Sequence, residues 1–235
     1  MTVALDGTAA ALAGARSLFP PEVAVAATDP RAAHPAPLPE EADAAGRWAL
    51  VRLREFAAGR AAVRIAMAEL GVPPCPVPMG ADRAPVWPEG LVGSISHSRT
   101  ACLAALTRAG DIRALGVDVE EDTPLEPTLE ETILTAAERD RLRNLPPMQR
   151  GRRAKLIFSA KESAYKCQYP VSRTLLDFDA FEILFDAANG GFSAIFRRAV
   201  GPFPRGAALT GRHAVAGGLI ITSVTLRRET GGPTG

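Results

Sequence analysis

The order of patterns along this 235-residue chain predicts an α+β fold, a pseudo-twofold pair of similar lobes, each a small mainly antiparallel sheet packed with a long helix. Two observations carry that expectation. In the first half a helical stripe precedes about three strand-like runs, and in the second half a long helix is followed by hairpins. Hydrophobic residues make up 47% of the chain, enough for one substantial core or two small ones.

Taken in order, the first twenty residues are apolar but contain Asp6, lack a basic leader and fall short of a membrane span of about 18 apolar residues. Residues 28–45 hold Pro30, Pro35, Pro37 and Pro39 and read as an irregular surface segment. From 48 to 70, Leu53, Phe56, Arg60, Val63, Met67 and Leu70 recur at helical spacing and form one buried stripe, which Gly71 and Pro73 end. Arg60 is the odd member. A permanent cation in an apolar line needs an anion, either an internal carboxylate or a phosphate held by guanidinium groups. Arg52, two turns earlier, lies near the same face.

A proline-rich crossing loop at 73–88 contains Arg83. Strands are expected at 91–96, 101–107 and 112–119, with Ser96-His97-Ser98 between the first two. Thr135-Ala136-Ala137-Glu138 fits a capping box opening a helix that Pro146 stops, and a longer helix spans 149–167. Strands at 180–185 and 192–197 flank the hairpin signal Asn189-Gly190. A second hairpin, 209–215 and 219–226, turns at Gly217-Gly218 before a loose polar tail at 229–235. The expected lobes are 1–114 and 115–228, with the site in the cleft between them.

Composition narrows the function. Lys plus Arg number 27 against 26 Asp plus Glu, a net charge of +1, so no global field favours nucleic acid and any anion site is local. Cys75, Cys102 and Cys167 are too few and scattered for a disulfide framework or a zinc cage, which fits the cytoplasm. No membrane partner is expected.

Two short runs carry the chemistry. In Gly116-Val117-Asp118-Val119-Glu120 the carboxylates stand two apart on a strand and share a face, where they repel unless a proton or cation intervenes. In Phe158-Ser159-Ala160-Lys161-Glu162-Ser163-Ala164-Tyr165-Lys166 a third carboxylate lies among cations on a helix. Separately, the first run reads as a solvated turn and the second as a surface ion pair contributing about 0.3–0.5 kcal/mol. Together, with a hard cation such as Mg²⁺ taking oxygen ligands, they read as one metal-phosphate site.

The joint pattern resembles the 4'-phosphopantetheinyl transferases, and most closely their larger two-lobed monomeric class serving siderophore and secondary-metabolite synthases. Further motifs agree in order: Arg52 to Arg60 within R-x-x-E-F-x-x-G-R, Arg83-x-Pro-x-Trp87-Pro88-x-Gly90, and Gly93-Ser-Ile-Ser96-His97. The resemblance implies transfer of the phosphopantetheine arm of coenzyme A to a serine of an acyl or peptidyl carrier protein, or of carrier domains of polyketide and nonribosomal peptide synthases, by a cytoplasmic monomer. It implies Asp118, Glu120 and Glu162 as carboxylates for Mg²⁺, or Mn²⁺. Glu162 is also the implied general base, with Lys161 and Lys166 stabilising phosphate charge. Arg52, Arg60, Arg83 and His97 match coenzyme A phosphate contacts, and Ser96 a position beside the nucleotide. Counting back from Glu55 leaves Arg52 and Arg54 as alternatives for the clamp. Phe158 and Arg83 stand where other members carry Trp and Lys. The family's acidic carriers imply a basic and apolar docking patch near 121–150 and the Lys155 side of the long helix. The competing reading is a non-catalytic coenzyme A or carrier-binding protein of the same fold.

Overall fold

A computed structural model describes residues 7–42, 49–186 and 189–228. The expected helix start at Trp48, the end of the 28–45 segment and the tail at 229–235 lie outside them. In chain order the elements are α1 (Gly7–Arg16), β1 (Ala24–Thr28), α2 (Pro39–Ala42), α3 (Leu50–Glu69), β2 (Leu91–His97), β3 (Cys102–Arg108) and β4 (Ile112–Glu121). They continue with α4 (Glu130–Ile133), α5 (Ala136–Leu142), α6 (Pro147–Ser172), β5 (Phe181–Phe185), β6 (Gly191–Phe196), β7 (Ala208–Ala216) and β8 (Leu219–Arg227).

The fold is α+β with two antiparallel sheets, one of three strands in the order β1-β3-β2 and one of five in the order β4-β8-β7-β6-β5. Each sheet carries one long helix. Ala62, Val63, Ala66 and Met67 of α3 pack on Ala24, Ala26, Ala104 and Leu106, while Ile157, Ala160, Ala164 and Cys167 of α6 pack on Phe181, Phe192, Phe196 and Val224. Alternation on the strands then divides the faces. Val25, Leu103 and Ala105 point away from α3 into a third cluster with Leu115, Val117, Val119 and Ile221, which joins the two sheets.

The strands expected from the pattern all form, with ends shifted by a few residues. α1 and β1 were not expected. Both are rich in alanine, which gives little hydrophobic contrast, and β1 is buried on both faces, so neither shows a clear period in the sequence. α1 inserts Ala11 and Ala15 into the joining cluster beside Ile221, and Arg212 and Ser223 donate to the carbonyls of Ser17 and Leu18. The N-terminal segment therefore ties the second sheet to the first. The division drawn at 114/115 falls inside β4, which opens at Ile112 on the five-stranded sheet.

The capping box at Thr135 and Glu138 is present, but α5 ends at Leu142, and Pro146 instead precedes α6 with Pro147 in its first turn. That placement uses proline where a helix has no N–H to lose. At the other end α6 runs to Ser172 with Pro170 in its last turns, and Arg173 closes it in the left-handed conformation. Because α1 serves both sheets, Ala15→Asp, which puts a carboxylate at a fully buried position of the joining cluster, is expected to cost about 3–5 kcal/mol of global stability, read from the urea midpoint.

Candidate functional site at the junction of the two sheets

β4 is an edge strand, and its free edge lies against β2. An exposed edge leaves backbone groups to satisfy. Here serine hydroxyls do so: Ser94 Oγ accepts from Val117 N–H at 3.0 Å and Ser96 Oγ from Val119 N–H at 3.3 Å. On the face of β4 opposite Val117 and Val119, Gly116 meets α6. A Cβ there would collide with the Ser163 carbonyl oxygen, so only glycine lets the helix backbone lie this close. The same face carries Asp118 and Glu120, and α6 presents Lys155, Glu162 and Lys166 at spacings of seven and four, one stripe of the helix.

Asp118 is buried, and its Oδ1 accepts from Lys166 Nζ at 2.7 Å and from Ser96 at 2.8 Å. Lys166 also donates to Ser96 Oγ at 2.9 Å and to the Val117 carbonyl at 3.2 Å. Asp118 Oδ2 is buried with no hydrogen-bond partner. Glu120 pairs with Lys155 at 3.1 Å, yet burial and the neighbouring Asp118 push its carboxyl above the ordinary range. Burial also raises the Glu162 carboxyl; Lys166 pulls it back, while Asp118 and Glu120 push it further up. The three carboxylates thus share one field.

Among the described residues no three His, Cys, Asp or Glu side chains stand close enough to hold one ion. Asp118 and Glu120 are turned onto lysines instead. The donor chemistry nevertheless fits a hard divalent cation: three mutually repelling carboxylates, one with a buried, unpaired oxygen.

A cleft of about 1000 Å³ adjoins this cluster, walled by Glu162, Tyr165, Lys166 and Tyr169 of α6 and by Arg83, Trp87, Gly93 and Ser94 from the first sheet and its crossing loop. Arg83 has a positive φ of 67°. Beside it Asp82 accepts from Tyr169 Oη at 2.7 Å and lies 3.7 Å from Arg173, clasping the loop to the end of α6. His97 stands 3.9 Å from Glu55. Burial lowers its pKa, Glu55 opposes that, and Lys166 and Arg52 reinforce it. Of Arg52 and Arg54, Arg52 is thus the one whose charge reaches His97.

Two expected members are differently engaged. Arg60 is buried with its guanidinium 4.2 Å from the Phe56 ring centre and Nε 3.9 Å from Glu41, so the anion its burial demanded is an internal carboxylate. Burial brings its pKa down to about 10 against the pull of Glu41. Glu41 in turn accepts from Arg64 and from the Leu38 and Val77 N–H groups. Lys161 points away from the cleft: its ammonium, 1% exposed, donates to Glu138 and to the Ile133 carbonyl, each at 2.7 Å. One residue turns a helix by about 100°, which takes Lys161 off the Glu162 stripe and into the core.

Ser94, Asp82 and Tyr169 were not singled out from the sequence as site residues, and Lys155, expected to mark the carrier-facing side of the helix, pairs with Glu120 instead. Lys155 was detectable from its spacing to Glu162, and the serines from polar residues alternating through an otherwise apolar strand. Asp82 and Tyr169 meet 87 residues apart and leave no local signal.

Comparison with known proteins bears on this geometry. Residues 40–107 match the 4'-phosphopantetheinyl transferase N-terminal domain model, and 114–216 match the 4'-phosphopantetheinyl transferase superfamily model. The chain is 38% identical to 4'-phosphopantetheinyl transferase Svp of Streptomyces mobaraensis over 82% of its own length and 80% of the relative's. It is 34% identical to 4'-phosphopantetheinyl transferase PptT of Mycobacterium tuberculosis, over 81% and 86% respectively. Enterobactin synthase component D of Escherichia coli is 39% identical over 49% of this chain and 54% of that protein.

The Lys161–Glu138 pair has a direct stability test. Glu138 is wholly buried and also accepts from the Thr135 and Ile183 N–H groups. Glu138→Ala leaves Lys161 charged in the core and is expected to cost about 3–5 kcal/mol in chemical denaturation, with Lys161→Met in the same chain restoring part of it.

Proposed function

The chain belongs to the 4'-phosphopantetheinyl transferase superfamily, and we propose that it transfers the 4'-phosphopantetheine arm of coenzyme A to a serine hydroxyl of an acyl or peptidyl carrier protein, releasing 3',5'-ADP. The observation that carries this reading is the cluster of buried Asp118 and Ser96 with half-buried Lys166 beside Glu162, opening on a cleft walled by α6 and the first sheet with its crossing loop. The intact set of carboxylates and lysine favours chemistry over a module that only binds.

Arg52, Arg83 and His97 bind the coenzyme A phosphates from the first-sheet side of the cleft, and guanidinium groups suit that role geometrically. Arg60 backs them from the interior, its Nε without a hydrogen-bond partner. Lys166, held on Asp118, supplies positive charge where the pyrophosphate becomes more negative. Glu162, its proton affinity raised by burial, accepts the proton of the carrier serine directly or through a water. The serine oxygen then attacks the β-phosphorus, and the bond from that phosphorus to the bridging oxygen breaks, the oxygen leaving with 3',5'-ADP. A divalent cation, Mg²⁺ or Mn²⁺, held by Asp118, Glu120 and Glu162 would neutralise pyrophosphate charge. Lys161 has no part in these steps; it fixes α6.

The partners we infer are carrier domains of polyketide, nonribosomal peptide and siderophore synthases, met by a cytoplasmic monomer. No described helix is long and apolar enough to cross a membrane. For the carrier we assign the start of α6, where Met148 is exposed and Arg152 and Arg153 line a shallow groove with Leu145 and the exposed Val215 of β7. Arg150 is engaged with Glu130 and Arg152 lies 3.7 Å from Asp122, whereas Arg153 stacks on Phe185.

Incubating an apo carrier protein with this chain, coenzyme A and Mg²⁺ is expected to add about 340 Da to the carrier, the increment of one phosphopantetheine on serine. Glu162→Ala should abolish the gain. No mass change on carriers of several types, with coenzyme A still bound, would defeat the transferase reading. Reversing Arg152 and Arg153 to Glu should raise the carrier KM about tenfold at unchanged kcat, as loss of charge complementarity predicts; an unchanged KM would remove the patch from the docking surface.

A further inference from the structure

Ser96 sits where β2, β4 and α6 meet, and its hydroxyl has three neighbours: the Val119 N–H at 3.3 Å, the Lys166 ammonium at 2.9 Å and Asp118 Oδ1 at 2.8 Å. A hydroxyl owns one proton and two lone pairs. The amide and the ammonium can only donate, so they fill both lone pairs, and the single proton must go to Asp118. Asp118 Oδ1 then accepts two hydrogen bonds, from Ser96 and from Lys166, while Oδ2 stays buried and unpaired. With its proton committed, Ser96 favours one orientation of the carboxylate.

We propose that Ser96 is a positioning residue, locking the Asp118 carboxylate so that Oδ2 is the oxygen offered to a divalent cation while Lys166 is held on Oδ1. The inference rests on the reading of Asp118 as a cation ligand. It adds a role for the serine that is exerted through Asp118 and Lys166 rather than by contact with the nucleotide. Ser94 supplies an internal control, because it stands two residues away on the same strand face and takes the Val117 N–H at 3.0 Å, leaving Asp118 to Ser96.

The test is Mn²⁺ binding, read by electron paramagnetic resonance in the presence of coenzyme A, together with thermal melts. Outer-shell partners of metal ligands are worth about ten- to hundredfold in affinity, and Ser96→Ala should weaken Mn²⁺ by that factor. Ser96→Thr, which keeps the hydroxyl, should bind close to wild type. Ser94→Ala should lose comparable thermal stability yet keep its Mn²⁺ affinity. A folded Ser96→Ala with wild-type affinity would overturn the inference, and so would a Ser94→Ala that loosens Mn²⁺ equally, since the serines would then be interchangeable edge seals. If Ser96→Ala does not fold, Ser96→Cys against Ser96→Thr decides: the weak thiol donor should bind Mn²⁺ less tightly, and equal affinities would sink the idea. Wild-type transfer without Mn²⁺ uptake would overturn the role of Ser96 and leave the transferase reading standing. Serine-dependent Mn²⁺ binding without transfer would do the reverse.

Discussion

The approach of α6 to β4 at Gly116 sets the distance on which the site depends. The helix carries Lys155, Glu162 and Lys166, the strand carries Asp118 and Glu120, and ion pairs of 2.7 Å and 3.1 Å form between them because the backbones are in contact. Even a methyl group at residue 116 would have to displace the Ser163 carbonyl, and a close-packed interior resists such a shift. The two valines on the opposite face of β4 enter the joining cluster, so the strand is fixed from behind as well.

Charge makes that arrangement costly in isolation. Three carboxylates with little solvent repel one another, and burial raises both Glu120 and Glu162. Lys155 and Lys166 offset the repulsion from the helix side. They do not exhaust it, since Asp118 retains a buried oxygen with no protein donor, and an unpaired buried acceptor costs about 1–3 kcal/mol. A cluster whose negative charge is only partly balanced is a place where a cation, or the cationic wall of a phosphate site, gains most. Structural stability alone would be better served by apolar residues of similar size.

Local patterns made much of this visible in the sequence. Asp118 and Glu120 share a face because strands alternate, and the hairpins follow from Asn189-Gly190 and Gly217-Gly218. What stayed hidden was non-local. The alanine-rich α1 and β1 give little hydrophobic contrast along the chain, and the Asp82–Tyr169 clasp joins residues 87 apart. The anion beside Arg60 is Glu41, from a segment whose prolines suggested an irregular surface and which in fact folds α2 inward to bury that carboxylate. The five-stranded sheet takes in β4, the strand through which the expected lobe boundary was drawn, as its edge beside β8.

Lys161 and Glu162 show why a motif of adjacent charges must be divided by helix geometry before roles are assigned. A rotation of about 100° separates them. Glu162 reaches the cleft, whereas Lys161 is bound to Glu138 and the Ile133 carbonyl, and Glu138 in turn accepts from Thr135 and Ile183. On the other side Lys166 is bound to Asp118, Ser96 and the Val117 carbonyl. The helix is therefore gripped by one lysine on each side, and rotation about its axis would break both sets of bonds together. Glu162, one residue beyond the first grip and four before the second, has its direction set by that double attachment. Its own side chain is left available for proton transfer.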